Sequence, residues 1–442
     1  MNPPMKTRNA DPWTADAITK SWIPVLVVVL LLMAITFLAK GSKSPVILEP
    51  AVRNAAGYYT LLPDEDIECF AESGETLYAG GKSGLYLLDR NTFSPIRHLD
   101  FSGKLSFVRS IHFDKDGTLW VGSLQGVLQY NPSSGQETWW STRNGLPDNR
   151  VNTLYSDCFG RLWVGTWGGV AWLDEAGWHV WKKADGLASD MVNVIREDGL
   201  GGMWFGAYNV PDGVISILPD FSRFTGDSAG TGKAWNLSEK LRPLADRNRS
   251  PELPTPLQWD YLTVVDGIPH SCITDLLRVS PGNMWVGSGF LEGGGACQVE
   301  FVHGSWLVTA VYHKDAETGT SSQEEASLLV DGRTIPLYGG LIGEKVRSLF
   351  LDSQNRIWLG SEYDGGSILS TSKDTGSVSS FHEESDSSGK NLPEGMNMTW
   401  LTTGNGLCNA EIKRVHEDGN GSFWLATRSG ITVIPDFSHI SQ

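Results

Sequence analysis

Two stretches decide the fold: VRSIHFDKDGTLWVGS at residues 108–123 and VNTLYSDCFGRLWVGT at residues 151–166. Each opens as an alternating strand, turns through a loop led by aspartate and carrying glycine, and returns as a strand with tryptophan near its centre. A third strand follows, VLQYN or VAWLDE, and a fourth, ETWWST or WHVWKKA. Four short strands of this kind cannot bury an apolar face alone and must stack on further copies. In the first copy Asp116–Gly117 is a two-residue hairpin signal, because glycine accepts positive φ without steric cost.

The phrase returns around Trp204, Trp285, Trp358 and Trp424, and in TLYAGG Tyr78 takes the place of tryptophan. An apolar residue lies twelve positions before the tryptophan at Val108, Val151, Val192, Ile273, Val346 and Ile412. An aspartate lies six before it at Asp114, Asp157, Asp198, Asp352 and Asp418, and a glycine eighteen before it at Gly145, Gly186, Gly267 and Gly406. The tryptophan is the largest available filler between neighbouring sheets. The glycine two residues after it, as at Gly122 and Gly165, leaves room for close backbone approach. The aspartates are expected to accept backbone N–H groups in the turn. A calcium reading of DKDG or EDGNG fails because neither continues as an EF-hand loop.

Seven such units predict an all-β fold: a seven-bladed β-propeller of four-stranded antiparallel blades. The last unit offers only three strands, so residues 58–63 are expected to supply its fourth. Pairing the two chain ends in one blade would close the ring and remove an open edge. The key position recurs at close spacing from Tyr78 to Trp204, then after gaps of 81, 73 and 66 residues. Insertions are therefore expected near 219–257, 311–342 and 371–398, and a degenerate eighth blade inside the first gap stays open.

Residues 22–39 read WIPVLVVVLLLMAITFLA without a charge. Such a helix spans about 27 Å, enough for a hydrocarbon core. Phe37 and Lys40 disturb the only plausible cleavage site, so an uncleaved transmembrane anchor is expected. The organisation is then a tail at 1–21, the anchor at 22–39, a tether at 40–57 and the propeller at 58–442. Basic residues tie across the segment, with Lys6, Arg8 and Lys20 before it and Lys40, Lys43 and Arg53 after it. The short tail is expected to stay cytoplasmic, leaving a single-pass protein whose propeller is periplasmic or extracellular.

A formal net charge of −16 excludes nucleic acid as a partner, since phosphate binding needs a positive field. It also disfavours polyanions unless a local basic patch overrides the total. The five cysteines lack CxxC spacing and read as buried small hydrophobes, with no metal site and no cofactor expected. There is no HExxH, no GxSxG, no phosphate-cradling loop and no dinucleotide fingerprint, so no catalytic residue is assigned.

The repeated phrase, followed in the closest copies by the link Gly145-Leu146-Pro147-Asp148-Asn149, resembles the two-component regulator propeller repeat over about residues 58–442. In that family the propeller is usually the extracytoplasmic sensing part of a membrane histidine kinase, often recognising carbohydrate. Its sensors commonly carry a second propeller, a β-sandwich, another membrane segment and a kinase. The chain as written stops at Gln442 inside its last blade, so the resemblance implies a fold and an address but no kinase activity.

On a propeller the inter-blade links and the second-to-third-strand turns share one face, around the channel mouth, where ligand sites favour converging loops. The links place Asn149, Arg150 and Asp190 there. The turns place Trp167, Tyr208, Tyr363 and Arg428, and the starts of inner strands place Arg109, Arg347 and Lys413. Aromatic plates beside mixed charge suit a glycan or a protein or peptide ligand, passed on to a separately encoded signalling component. Trp167 could equally pad a blade junction, and the inner-strand cations could pair with Asp190, Glu344 or Glu411. An extracytoplasmic hydrolase or lyase using carboxylates at the mouth is the alternative.

Overall fold

The computed structural model describes residues 48–174, 177–208, 215–219, 259–291, 293–314, 327–371 and 392–435. The tail, the anchor at 22–39 and the first part of the tether, 40–47, lie outside them, as do most of the 219–257 insertion and the centres of the other two. Among the described residues no helix is long and apolar enough to cross a membrane.

Seven sheets form the ring, six of them wholly antiparallel. Their inner strands are, from blade 1 to blade 7, Ile67–Ser73, Ser110–Phe113, Val151–Ser156, Val192–Glu197, Ile273–Ser280, Val346–Leu351 and Ile412–Glu417. Each inner strand touches the next, and the seventh touches the first. Blade 7 takes its fourth strand from the other end of the chain, with Tyr59, Thr60 and Leu61 paired to Val433, Thr432 and Ile431. A fifth strand, Val52–Arg53, adds to that edge, so the stretch read as a tether is already sheet at Val52.

Blade 5 departs from the four-stranded expectation. Its fourth strand, Ser305–Lys314, pairs in parallel with Arg333–Leu341, which turns back on Ser327–Val330. Part of the 311–342 insertion is thus a hairpin that widens this sheet to six strands.

The indoles lie between blades. Trp163 shares a buried cluster with Val192, Ile195 and Phe205 of blade 4, and Trp204 meets Trp306 of blade 5 edge-on with ring centroids 4.7 Å apart. Trp358 stacks on Phe423 of blade 7 at 4.6 Å. In five blades an aspartate lies six residues before the indole and is bonded twice over. Asp157 Oδ1 accepts the N–H groups of Phe159 and Arg161, while Oδ2 accepts Trp163 Nε1–H at 2.8 Å. Asp114, Asp198, Asp352 and Asp418 repeat the indole bond at 3.1, 3.3, 2.8 and 2.8 Å. In blade 2 the loop is not a two-residue hairpin: it folds around the Asp114 carboxylate and closes with Asp114 N–H on Thr118 O.

Two glycine positions have steric causes. A Cβ on Gly122 would stand 2.7 Å from Val151 Cγ1 of the next blade. The link glycine Gly145 has φ of +129°, and a Cβ there would meet the Trp178 ring at 2.5 Å. The cysteines are free thiols; Cys69, Cys272 and Cys297 are buried, whereas Cys158 is exposed, contrary to the reading of all five as interior.

Candidate ligand site at the channel mouth

A bulge recurs where each inner strand begins. The ladder skips one residue between Ile67 and Cys69, Val151 and Thr153, Val192 and Val194, Ile273 and Asp275, Val346 and Ser348, and Ile412 and Arg414. The skipped residues are Glu68, Asn152, Asn193, Thr274, Arg347 and Lys413. Arg109 holds the matching place in blade 2, its N–H donating to Gly122 O. An extra residue in a strand re-aims its side chain, and here seven blades present one such residue each at one level of the ring.

Charge gathers on blades 6, 7 and 1. Lys413 Nζ lies 2.5 Å from Asp66, 2.7 Å from Glu68 and 3.8 Å from Glu411. Arg347 lies 3.4 Å from Glu68 and 3.9 Å from Glu411, and Lys345 is paired with Glu362. Burial works to raise the Glu68 carboxyl, but Arg347 and Lys413 outweigh it and hold it below the ordinary range. Burial prevails at Glu411, which is raised although Lys413 and Arg347 oppose it.

Aromatic side chains gather on blades 3 to 6, one from each second-to-third-strand turn: Trp167, Tyr208, Phe290 and Tyr363. The Tyr208 and Phe290 rings meet edge-on at 5.9 Å. Trp167 Nε1–H donates to Asn152 Oδ1 at 2.9 Å, and the Arg150 guanidinium lies 4.5 Å over its ring. Burial raises the Tyr208 phenol; it also feels Arg347, Glu362 and Arg109, so it stands where the two halves of the mouth meet.

Two residues into the inner strand of blade 5, Asp275 ties neighbouring blades together. Its carboxylate is fully buried, accepts Arg414 Nη1–H at 2.8 Å and Leu349 N–H at 3.0 Å, and lies 3.6 Å from Arg196. At the opposite face, a cavity of about 230 Å³ lies between the hairpin turns of blades 2 and 3, lined by His112, Asp114, Ser156 and Asp157 among others. His112 Nε2 and Ser156 Oγ are 2.7 Å apart. Bonds from Tyr155 to Glu197 and from His416 to Glu72 join neighbouring inner strands in the same way, so the Ser–His contact is one stitch of a structural girdle.

Of the residues singled out in the sequence, Arg109, Arg150 and Trp167 are connected through Asn152, and Arg347 and Lys413 share one ion-pair network. Asn149 and Asp190 are instead turn-holders, accepting the N–H groups of Thr142 and Lys183. Tyr363 is exposed and donates its hydroxyl to neighbouring Glu362 at 3.2 Å. Arg428 is exposed and makes no ion pair among the described residues. Sequence reasoning missed Glu68, Asn152, Phe290 and Asp275. Asn152 sits one place after the periodic apolar residue, as Arg109 does, and that offset was the available signal; Glu68 follows Ile67, which lies eleven rather than twelve residues before Tyr78 and so breaks the pattern.

The two component regulator propeller family model matches residues 102–125, 145–168 and 340–363. Similar solved structures include the extracellular domain of a hybrid two component system, BT3049, from B. thetaiotaomicron. It is 16% identical with a TM-score of 0.51, and the alignment covers 84% of this chain and 40% of that one. Hydrazine synthase of Kuenenia stuttgartiensis is 13% identical with a TM-score of 0.51, covering 90% of this chain and all of the other. Streptogramin B lyase is 12% identical with a TM-score of 0.50, covering 85% and 95%. At these identities the likeness is one of fold. The chain thus spans less than half the length of the BT3049 domain. No curated protein matches it.

Proposed function

We propose that this chain, whose repeats are two component regulator propeller repeats, is the ligand-recognising body of an extracytoplasmic sensor. In this reading residues 22–39 hold it at a membrane, its mouth takes a carbohydrate, and a separately encoded component carries the signal onward. The observation that carries the reading is the divided mouth: aromatic residues in the turns of four consecutive blades, 3 to 6, beside an ionic network on blades 6, 7 and 1. Sugar rings place their C–H faces on aromatic side chains while their hydroxyls bond the polar rim, so such a mouth suits them.

A glycan array tests this together with a pull-down from the native envelope fraction. Saccharide binding that falls at least tenfold in Trp167→Ala and Phe290→Ala supports the reading. Enrichment of a protein partner with no glycan signal replaces it with protein recognition.

A hydrolase or lyase is the second reading, and one observation favours it. Glu68 and Glu411 share Lys413 and Arg347 yet are displaced in opposite directions, as acid and base partners are. Both are held in ion pairs, which suits a fixed rim better than proton transfer. Product released from a bound oligosaccharide, and lost in Glu411→Gln, would establish catalysis.

A further inference from the structure

The four cations and four carboxylates around the mouth balance in number but are not evenly paired. Lys345 has Glu362, Arg347 has Glu68 and Glu411, and Lys413 has Asp66, Glu68 and Glu411. Arg109 stands at the same level, within electrostatic reach of Glu68 but with no carboxylate at ion-pairing distance among the described residues. Its one side-chain bond runs from Nη1 to Asn152 Oδ1 at 2.8 Å. Asn152 is neutral and its Oδ1 is already shared, for it also accepts Trp167 Nε1–H, while its Nδ2 donates to Val192 O at 3.0 Å. A guanidinium carries five donors in a planar fork that matches a carboxylate. Arg109 is half-buried, presents most of that fork unused, and is tied through Asn152 to the aromatic Trp167.

From this we infer that the ligand is an acidic saccharide, and that Arg109 receives a uronate carboxylate while the sugar ring lies toward the aromatic turns. The inference rests on the carbohydrate reading of the mouth and adds the chemical class. Tyr208 fits the arrangement: it lies within electrostatic reach of Arg109, and its hydroxyl has no hydrogen-bond partner among the described residues, leaving it for a sugar hydroxyl or the same carboxylate. The net charge of −16 sets the other limit. A long polyanion is repelled by the body as a whole, so a short oligosaccharide with few uronates is the expected class. The aromatic half separates this class from an acidic peptide, whose backbone offers no C–H face to stack.

The test uses the full-length chain in detergent with matched ligands: oligogalacturonides and glucuronate-capped xylo-oligosaccharides, each beside its carboxyl-reduced form, titrated calorimetrically. The acidic member of a pair is expected to bind at least tenfold tighter than its reduced counterpart. Arg109→Gln is expected to bring that ratio toward one, and Arg109→Lys to restore part of it. Melting temperatures of both variants confirm that they are folded. Equal affinity for acidic and reduced forms overturns the inference while leaving the carbohydrate reading intact. Equal or tighter binding of an Asp/Glu hexapeptide overturns the saccharide class, and binding of no sugar in either form overturns both readings.

Discussion

Arg414 and Asp275 join blades 7 and 5 past the blade between them, Arg414 Nη1 donating to Asp275 Oδ2 at 2.8 Å. The same carboxylate accepts a backbone N–H from Leu349 of blade 6 and faces Arg196 of blade 4. One fully buried side chain therefore binds four consecutive blades at the axis. Removing one member of a buried pair leaves the other uncompensated, so Asp275→Ala should cost about 3–5 kcal/mol. A urea titration followed by tryptophan fluorescence measures it. The double replacement Asp275→Leu with Arg414→Met should recover only part of the loss, because one stranded guanidinium is then gone while Arg196 and the Leu349 N–H still lack their carboxylate; no recovery would count against this account.

Ring closure gives a second prediction. Tyr58 is buried against Gly406, and Tyr59–Leu61 pairs with the last strand of blade 7. A chain beginning at residue 48 should melt as the full chain does. One beginning at residue 63 exposes the edge at Gly430–Ile434 and should melt well below it, with early proteolytic cuts near that strand.

The indole–aspartate bond can be separated from indole packing at Trp358. Trp358→Phe keeps an aromatic ring over Phe423 but deletes the donor to Asp352, whose remaining partners are the N–H groups of Gln354 and Arg356 and the Arg356 side chain. The expected cost is about 1–2 kcal/mol. Trp358→Ala deletes the packing too, at about 3–5 kcal/mol. Equal losses in the two variants would remove any distinct role for volume.

Acid should weaken the girdle on the cavity face. Burial lowers the His112 imidazole, and Asp114 only partly opposes it. The unfolded chain takes up this proton near pH 6.5, whereas the folded chain does so only further down. Between those values the unfolded state binds more protons, so stability present above the ordinary histidine range is lost as pH falls through it. His270, lowered by burial and by Lys345, adds in the same direction. Melting temperature should therefore fall between about pH 7 and pH 5, and more shallowly in His112→Gln; an unchanged slope would assign the effect elsewhere.

The ring, its blade count and its closure were legible because they follow from periodic apolar positions that burial repeats in every unit. The six-residue spacing from Asp157 to Trp163 was legible as well, but its indole bond was not, since a turn carboxylate has two oxygens and the sequence accounts for one. Blade 5 shows the converse. Val279 stands where the aspartate would be, and its Pro281–Gly282 turn is short enough to close without one. The mouth was half-legible: Arg109, Arg347 and Lys413 follow the periodic apolar residue directly, yet the bulge that aims them leaves no mark on residue type. The blade 5 hairpin carried a local signal in its Asp331–Gly332 turn, but its place was hidden because Arg333–Leu341 pairs in parallel with the blade's own fourth strand, Ser305–Lys314, a long-range contact that leaves no turn signal.

Synthesis runs from one end of this circle to the other. Leu61 leaves the ribosome 370 residues before its partner Ile431. At roughly 5–20 residues per second, that strand stays solitary for about 20–75 seconds while six blades assemble behind it. Its short length and the proline that follows at Pro63 make it a poor template for neighbours during the wait, and the nascent circle locks only when the final blade emerges.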